Sequence, residues 1–344
     1  MPLSEYQDHK ITKGGGGMDR RKFIQLGGAA LGAQALPMLA CAQSRYPASP
    51  IHLIVPYAPG GVVDAVARNW TQSMMEPLGT VVVENRGGGG GTIGANFVAH
   101  ANPDGYTLLF GDTSSQIIAP YLMLKPPYNA ATDFAPVSMM ATSSTAIVVH
   151  PSVPATTFAE FIKYAQTNQK KLSYASAGTG TVTHLAGESF KQLINAPDIL
   201  HAPYRGAGPG LIDLVAGVVP MMTPNVTSQV LAFHRAGTLR ILAVCAPARL
   251  KAAPDIPAAV ETLPGLVIQL TCGVLGPKGL PQPIVTRIAD ATAKAVKQPE
   301  FEKILAAAGL EPRDDVTPAG AQTFLTAERE HLIPIIKASG LQPQ

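Results

Sequence analysis

Charged side chains make up only 14% of the 344 residues, against 46% that are hydrophobic. So low a charge density excludes a solvated tail, and a chain of this length buries a sizeable core and has room for two lobes. Neither sign of charge dominates. The net charge is +3, and outside residues 1–42, which hold five basic and three acidic side chains, 21 basic residues face 20 acidic ones. No basic patch, arginine-rich run or aromatic-basic interleaving is present, which excludes nucleic acid as a partner. Cysteine is scarce as well, with Cys41, Cys245 and Cys272 alone. Three thiols show no framework spacing, and no Cys or His cluster has the spacing of metal ligands, so neither a disulfide scaffold nor a metal centre is expected. Cys245 and Cys272 either pair, as an oxidising compartment would allow, or stay as two buried thiols behaving like small hydrophobes.

Glycine and proline, in contrast, are plentiful at 33 and 31 residues, which suits many short elements joined by punctuated loops. Residues 1–42 read as an address rather than as structure. Arg20-Arg21-Lys22-Phe23-Ile24 precedes a weakly apolar run, residues 26–39, that ends in Ala40-Cys41-Ala42. This resembles a twin-arginine signal peptide; the run is too short and glycine-rich to span a bilayer well, and cleavage is expected before Gln43. The mature chain is then expected in the periplasm. Lipid anchoring at Cys41 is the lesser alternative, because Met38 stands where a lipoprotein box usually has Leu or Val. Residues 1–17 resemble neither a signal nor a domain, so the natural start is expected at Met18, or the segment is an addition.

The mature part is organised around a strand, a glycine turn and a helix. Residues 51–55 are an apolar run suited to a buried strand, Pro59-Gly60-Gly61 forces a turn, and Val62, Val66, Trp70 and Met74 then recur every four residues. The first N–H groups of such a helix have no intrahelical partner, and glycines keep side chains away from them, so Ala58, Pro59, Gly60 and Gly61 read either as a cradle for an anion or, on this stretch alone, as a tight connection between two core elements. Asp64 in the first helical turn suits the helix dipole or fixes the loop. The glycine run at residues 87–91 lacks a following Gly-Lys-Ser/Thr and the dinucleotide fingerprint. It reads as a flexible or close-packed turn, and no cofactor is expected. Pro103-Asp104-Gly105 launches a strand ending in Gly111-Asp112-Thr113-Ser114-Ser115, which brings the hydroxyls of Thr113, Ser114 and Ser115 to a strand's carboxyl end.

Thr157-Phe158-Ala159-Glu160 is a capping box, with Phe158, Phe161, Ile162 and Ala165 as the apolar stripe behind it. The plan then repeats. A strand over 172–175 leads into Ser176-Ala177-Gly178-Thr179-Gly180-Thr181 and a helix through His184 and Glu188. A strand over 199–204 ends in Tyr204-Arg205-Gly206, and another over 218–222 ends in Thr223-Pro224-Asn225. A strand over 239–244 returns the chain towards the first lobe, and Phe301, Ile304, Leu305 and Ala308 form a last helical stripe stopped by Gly309. The expected division is lobe 1 at 46–150, lobe 2 at 151–240, and a return to lobe 1 with C-terminal helices at 241–344. Alternating strands and helices predict an α/β protein with a parallel, doubly wound sheet in each lobe and ligand binding beyond the strands' carboxyl ends.

Five motifs in order carry a resemblance over nearly the whole mature chain: Pro56-Tyr57-Ala58-Pro59-Gly60-Gly61-x-x-Asp64; Glu84-Asn85-Arg86 with its glycines and Ile93-Gly94-Ala95; Pro103-Asp104-Gly105-Tyr106-Thr107-Leu108; Ser176-x-Gly178-x-Gly180-Thr181-x-x-His184-Leu185-x-x-Glu188; and Pro203-Tyr204-Arg205-Gly206-x-x-Pro209-x-x-x-Asp213-Leu214. The chain resembles the tripartite tricarboxylate transporter substrate-binding receptors, or Bug receptors. That resemblance implies a type II periplasmic binding protein, a Venus flytrap whose lobes close on a small carboxylate, partly through water, and hand it to membrane permease subunits. It also implies that residues 58–61 with Asp64, the loop around Ser114, residues 176–181 with His184, and residues 204–206 line the cleft. The chain departs from the family pattern at Arg205, where Lys is usual, at the glycine run, which replaces Pro-Gly-Ala-Gly, and at Thr271-Cys272-Gly273, where a Trp commonly precedes the Gly.

His184 and Glu188 would share a helix face as a base and its orienter do, but without a nucleophile elbow the pair reads as capping or lobe packing, and no enzyme is expected. The competing reading is a periplasmic sensor presenting its liganded form to a signalling protein such as a sensor kinase, with a hydrolase or isomerase more distant. The protein is expected to work as a monomer.

Overall fold

The computed structural model describes residues 46–307 and 310–343. The expected export segment and the stripe positions Ala308 and Gly309 lie outside the described residues. Among the described residues, eleven strands form two mixed sheets, in the order β11-β4-β10-β3-β1-β2 and β7-β6-β8-β5-β9. In the first, β1 (Ile51–Val55) is parallel to β2 (Val81–Asn85) and β3 (Thr107–Asp112). Helix α1 (Val62–Leu78) and helix α2 (Thr92–Ala99) make the crossovers between them. The expected stripe of α1 is buried at Val62, Val66, Trp70 and Met74. Trp70 is fully enclosed, and its indole Nε1 donates to Thr292 Oγ1 at 3.0 Å.

The second sheet repeats the plan. Its β6 (Ser173–Ser176) is parallel to β7 (Leu200–Pro203) and β8 (Met221–Met222). Helix α3 (Phe158–Thr167) leads into β6 from the capping box, in which Thr157 and Glu160 each cap the other's backbone. Helices α4 (Val182–Leu193), α5 (Ala207–Val215) and α6 (Ser228–Arg235) follow β6, β7 and β8. The inner residues of α5 and α6, Leu211, Leu214, Val230 and Leu231, join Val148, Ala175, Met222, Ile241 and Val244 in a continuous apolar core.

The parallel parts of both sheets follow the strand-helix alternation. The antiparallel parts come from the crossovers between sheets. Strand β4 (Phe134–Ser144) lies in the first sheet and runs through Thr145 straight into β5 (Ala146–Val149) of the second. Strand β9 (Arg240–Val244) pairs with β5 in the second sheet, and the return to the first is made by β10 (Gln269–Pro277), antiparallel to β3 and β4. The two crossings are stitched together. Thr145 donates its N–H and hydroxyl to the Ile268 carbonyl, at 3.1 and 2.8 Å, and the Cys245 N–H donates to the Thr145 carbonyl at 2.7 Å. Cys245 and Cys272 are both buried and both free. Burial pushes the Cys245 thiol up to about 12, so it packs as a small hydrophobe.

After β10, α7 (Gln282–Val296), α8 (Pro299–Ala307), β11 (Leu310–Pro312) and α9 (Pro318–Ala338) complete the first lobe. Ala321 and Leu325 of α9 close a core with Ile54, Leu109, Phe134 and Leu275. Among the described residues no helix is long and apolar enough to cross a membrane.

Candidate functional site

The turn before α1 shows how the chain builds a helix entrance without a capping side chain. Gly60 has φ +91° and Gly61 stands at the N-cap with no side-chain bond to the helix. Asp64, one turn in, is buried and reaches back instead. Its carboxylate accepts from the Gly60 N–H at 3.1 Å, from Arg68 Nε at 3.0 Å and from Asn85 Nδ2 at 2.8 Å. Burial alone would raise this carboxyl. The three donors outweigh burial and hold it below the ordinary carboxylate range. Asn85 also donates to the Tyr57 carbonyl at 3.0 Å, so the ends of β1 and β2 and the turn form one fixed unit.

The matching entrance in the second lobe is capped by side chains. Thr181 accepts from the His184 N–H at 3.2 Å and donates to the Gly178 carbonyl at 2.7 Å. Thr183 Oγ1 takes the Ala177 N–H at 2.8 Å, and His184 Nδ1 takes the Gly180 N–H at 3.2 Å. Ser176 Oγ lies 2.7 Å from His201 Nε2. That contact has the look of a nucleophile and its base. However, the same Oγ accepts the Gly178 N–H at 3.1 Å, and neither residue reaches the central cavity described below. His201 is stacked on His184 at 4.0 Å and on Tyr174 at 4.8 Å. Burial first, then nearby charge, lowers His184 to about 4 and His201 to about 3. Both rings are therefore neutral at pH 7, and they act as braces for the loop.

Between the lobes lies a narrow cavity lined by Tyr57, Gly61, Val62, Val63, Asp112, Ser114, Ala177, Thr181, Val182, Thr183, Ala207, Asn225 and Leu270. Three helix N-termini converge on it, those of α1 at Val62, α4 at Val182 and α5 at Ala207. Among the described residues, no lysine, arginine or histidine lines it. Among the described residues, no hydrogen bond engages the N–H groups of Val62, Val63 or Thr183. Helix N-termini carry partial positive charge and unpaired donors, and together they suit a small anion.

The lobes touch around this cavity. Val182 donates its N–H to Ser114 Oγ at 3.0 Å across the cleft. A Cβ placed on Gly206 would come within 3.2 Å of Ala58, and one on Gly180 within 3.0 Å of Ala119. Of the residues expected at the site, Gly61, Ser114, Thr181 and Asn225 line the cavity. Gly60 flanks a neighbouring recess with Gly61 and Asn225. Gly178, Thr179, Tyr204 and Arg205 line an outer opening. Ala58 and Pro59 meet Gly206 and Gly208 at the rim.

Asp64, Thr113, Ser115, Ser176 and His184 bond to the loops around them. Thr113 is turned towards β10, taking the Thr271 N–H at 3.0 Å. Ser115 holds Asp112 by its N–H at 3.1 Å and its hydroxyl at 2.7 Å.

Of the polar side chains lining the cavity, Tyr57, Asp112 and Thr183 were not expected from the sequence. Tyr57 Oη donates to Asp112 Oδ1 at 2.8 Å, and both side chains are buried. The signal was present, since an aspartate after the apolar run Leu108-Leu109-Phe110-Gly111 is out of keeping with a buried strand unless it is used. The glycine run is also more than a surface turn. It lines the outer opening opposite Thr179, and a Cβ on Gly90 would come within 2.5 Å of the Thr179 carbonyl.

Two α/β lobes joined by crossing strands, with the ligand space at the strands' carboxyl ends, define a type II periplasmic binding protein fold. Residues 66–341 match the model of the tripartite tricarboxylate transporter family receptor, and the chain belongs to that family. It is 38% identical over 291 residues to a UPF0065 protein from the tcbD-tcbE intergenic region of Pseudomonas sp. (strain P51), covering 83% of this chain and 85% of the relative. Two solved structures share the fold. The periplasmic binding protein BugD is 31% identical with a TM-score of 0.83, and Rpa4515 of R. palustris with adipate is 30% identical with a TM-score of 0.83. Each comparison covers 87% of this chain and 100% of the other.

Proposed function

We propose that this protein is a periplasmic solute receptor that captures a small carboxylate between its lobes and delivers it to the permease subunits of a tripartite tricarboxylate-type transporter. The observation that carries the reading is the convergence of three helix N-termini, with unpaired N–H groups, on a cavity without a basic side chain. Such a site offers directed donors and partial positive charge to a carboxylate. The adipate-bound relative supports the ligand class, and the family supports the permease as the recipient. A thermal-shift screen of mono-, di- and tricarboxylates tests it. A ligand that binds only the folded state adds roughly 2.7 kcal/mol at 100 times its Kd, enough to raise the melting temperature visibly. Failure of every carboxylate to stabilise the protein, with another class of solute succeeding, would overturn the reading. For delivery, ligand uptake by vesicles holding the permease is expected to require the receptor.

A further inference from the structure

We propose that Asp112 makes this receptor selective for carboxylates that also carry a hydrogen-bond donor, an ammonium or hydroxyl group, alongside the carboxylate. The inference deepens the carboxylate reading of the same cleft and rests on it. Asp112 ends β3 and is fully buried where it lines the cavity. Its Oδ1 is saturated by Tyr57 Oη, Ser115 Oγ and the Ser115 N–H, at 2.8, 2.7 and 3.1 Å. Its Oδ2 is buried and makes no hydrogen bond of ordinary geometry among the described residues, although the Ser114 hydroxyl also acts on the carboxyl and lowers it. With Oδ1 clamped towards Tyr57 and Ser115, Oδ2 is the oxygen left unmatched, enclosed at the cavity wall.

From the other lobe, Asn225 lines the same cavity at 6% exposure, and its Nδ2 is likewise without a partner among the described residues. Buried polar atoms are nearly always matched, and an unmatched carboxylate oxygen is the more costly kind. An acceptor on one wall and a donor on the other, beside helix N-termini, complement a ligand that offers a donor group, an acceptor and a carboxylate. A plain carboxylate leaves Oδ2 unmatched and sets two anions together. Burial already pushes the Asp112 carboxyl above its ordinary range, and a ligand ammonium at Oδ2 would oppose that.

Isothermal titration at pH 7.5 with matched sets tests the assignment: propionate, lactate and alanine, then succinate, malate and aspartate. In at least one set the hydroxy or amino member is expected to bind tenfold or more tightly than the unsubstituted parent, and comparing those two members tells which donor is used. Asp112→Asn is expected to remove or reverse the preference, since its amide can donate to a plain acid. Equal or tighter binding of the parents by the native protein overturns the proposal, as does an unchanged preference in Asp112→Asn. The native ratio needs no variant, so a misfolded Asp112→Asn leaves that test intact. Failure of all six acids to bind, with a different class of solute succeeding, would defeat the carboxylate reading itself, a result distinct from binding without preference.

Discussion

At the scale of single residues, the cleft is held by side chains that do not enter it. Asp64 is the clearest case, since it ties the Gly60 N–H, Arg68 and Asn85 together from one buried carboxylate. Asp64→Asn keeps the shape and loses the charge. The expected cost is about 1 to 2 kcal/mol, near the low end for a charge-assisted bond because Arg68 is half exposed. Chemical denaturation at pH 7 measures it. A carboxyl held below its ordinary range stabilises the fold above its unfolded pKa and loses that contribution as pH falls through the folded value. The gap between native protein and variant should therefore narrow below about pH 4. Gly60 behaves differently from what the sequence suggests. A Cβ there meets nothing within 4 Å, so a side chain would not block the cradle, but φ +91° still demands glycine. Gly60→Ala is expected to cost about 1 to 2 kcal/mol through the backbone, and Gly60→Val at least as much. Melting temperatures of the two variants check the order.

At the scale of elements, legibility followed periodicity and punctuation. The α1 stripe and the Thr157–Glu160 capping box have local causes, and both stand in the structure as the sequence implies. Strand β4 has none. Phe134-Ala135-Pro136-Val137-Ser138-Met139-Met140 alternates nothing and contains a proline, and its length comes from pairing with β10, more than 120 residues away in the chain. The π-helical turn Ser114–Ile118 was equally hidden, yet it aims Ser114 across the cleft while Ser115 holds Asp112. Hydroxyl-rich loops at strand ends were visible in the sequence, but which hydroxyl faces the cavity depends on that turn. Ser114→Ala removes the acceptor of the Val182 N–H, and no cap of either helix depends on it. The variant is expected to keep its melting temperature within a degree or two of the native protein's. Titration should show a changed carboxylate affinity, by about five- to tenfold for one neutral hydrogen bond. An unaltered affinity would mean that the contact plays no part in the closed form.

At the scale of the whole molecule, a repeated strand-turn-helix plan was readable because each copy carries its own glycine or threonine entrance. The joining of the copies was not readable. Thr145 sits in an unpunctuated run, and its role as a crossing point arises from its bonds to Ile268 and Cys245, both distant in sequence. The same distance effect brings His184 and His201 face to face, and it makes a prediction for the entire fold. Burial keeps both rings neutral in the folded protein, at about 4 and about 3, whereas unfolded they titrate near 6.5. Between about pH 6.5 and pH 4 the unfolded chain thus binds more protons, so stability falls as pH falls. The slope is at most about 1.4 kcal/mol per pH unit for each ring. Asp112 and Glu328, raised by burial, act in the opposite sense over part of this window, so the informative quantity is a difference. His201→Gln keeps a side-chain partner for Ser176 and removes one titrating ring. Its melting temperature is expected to decline less steeply than the native protein's from pH 7 to pH 4.5. Parallel declines in the two proteins would show that the stacked pair is not what ties this fold to neutral pH.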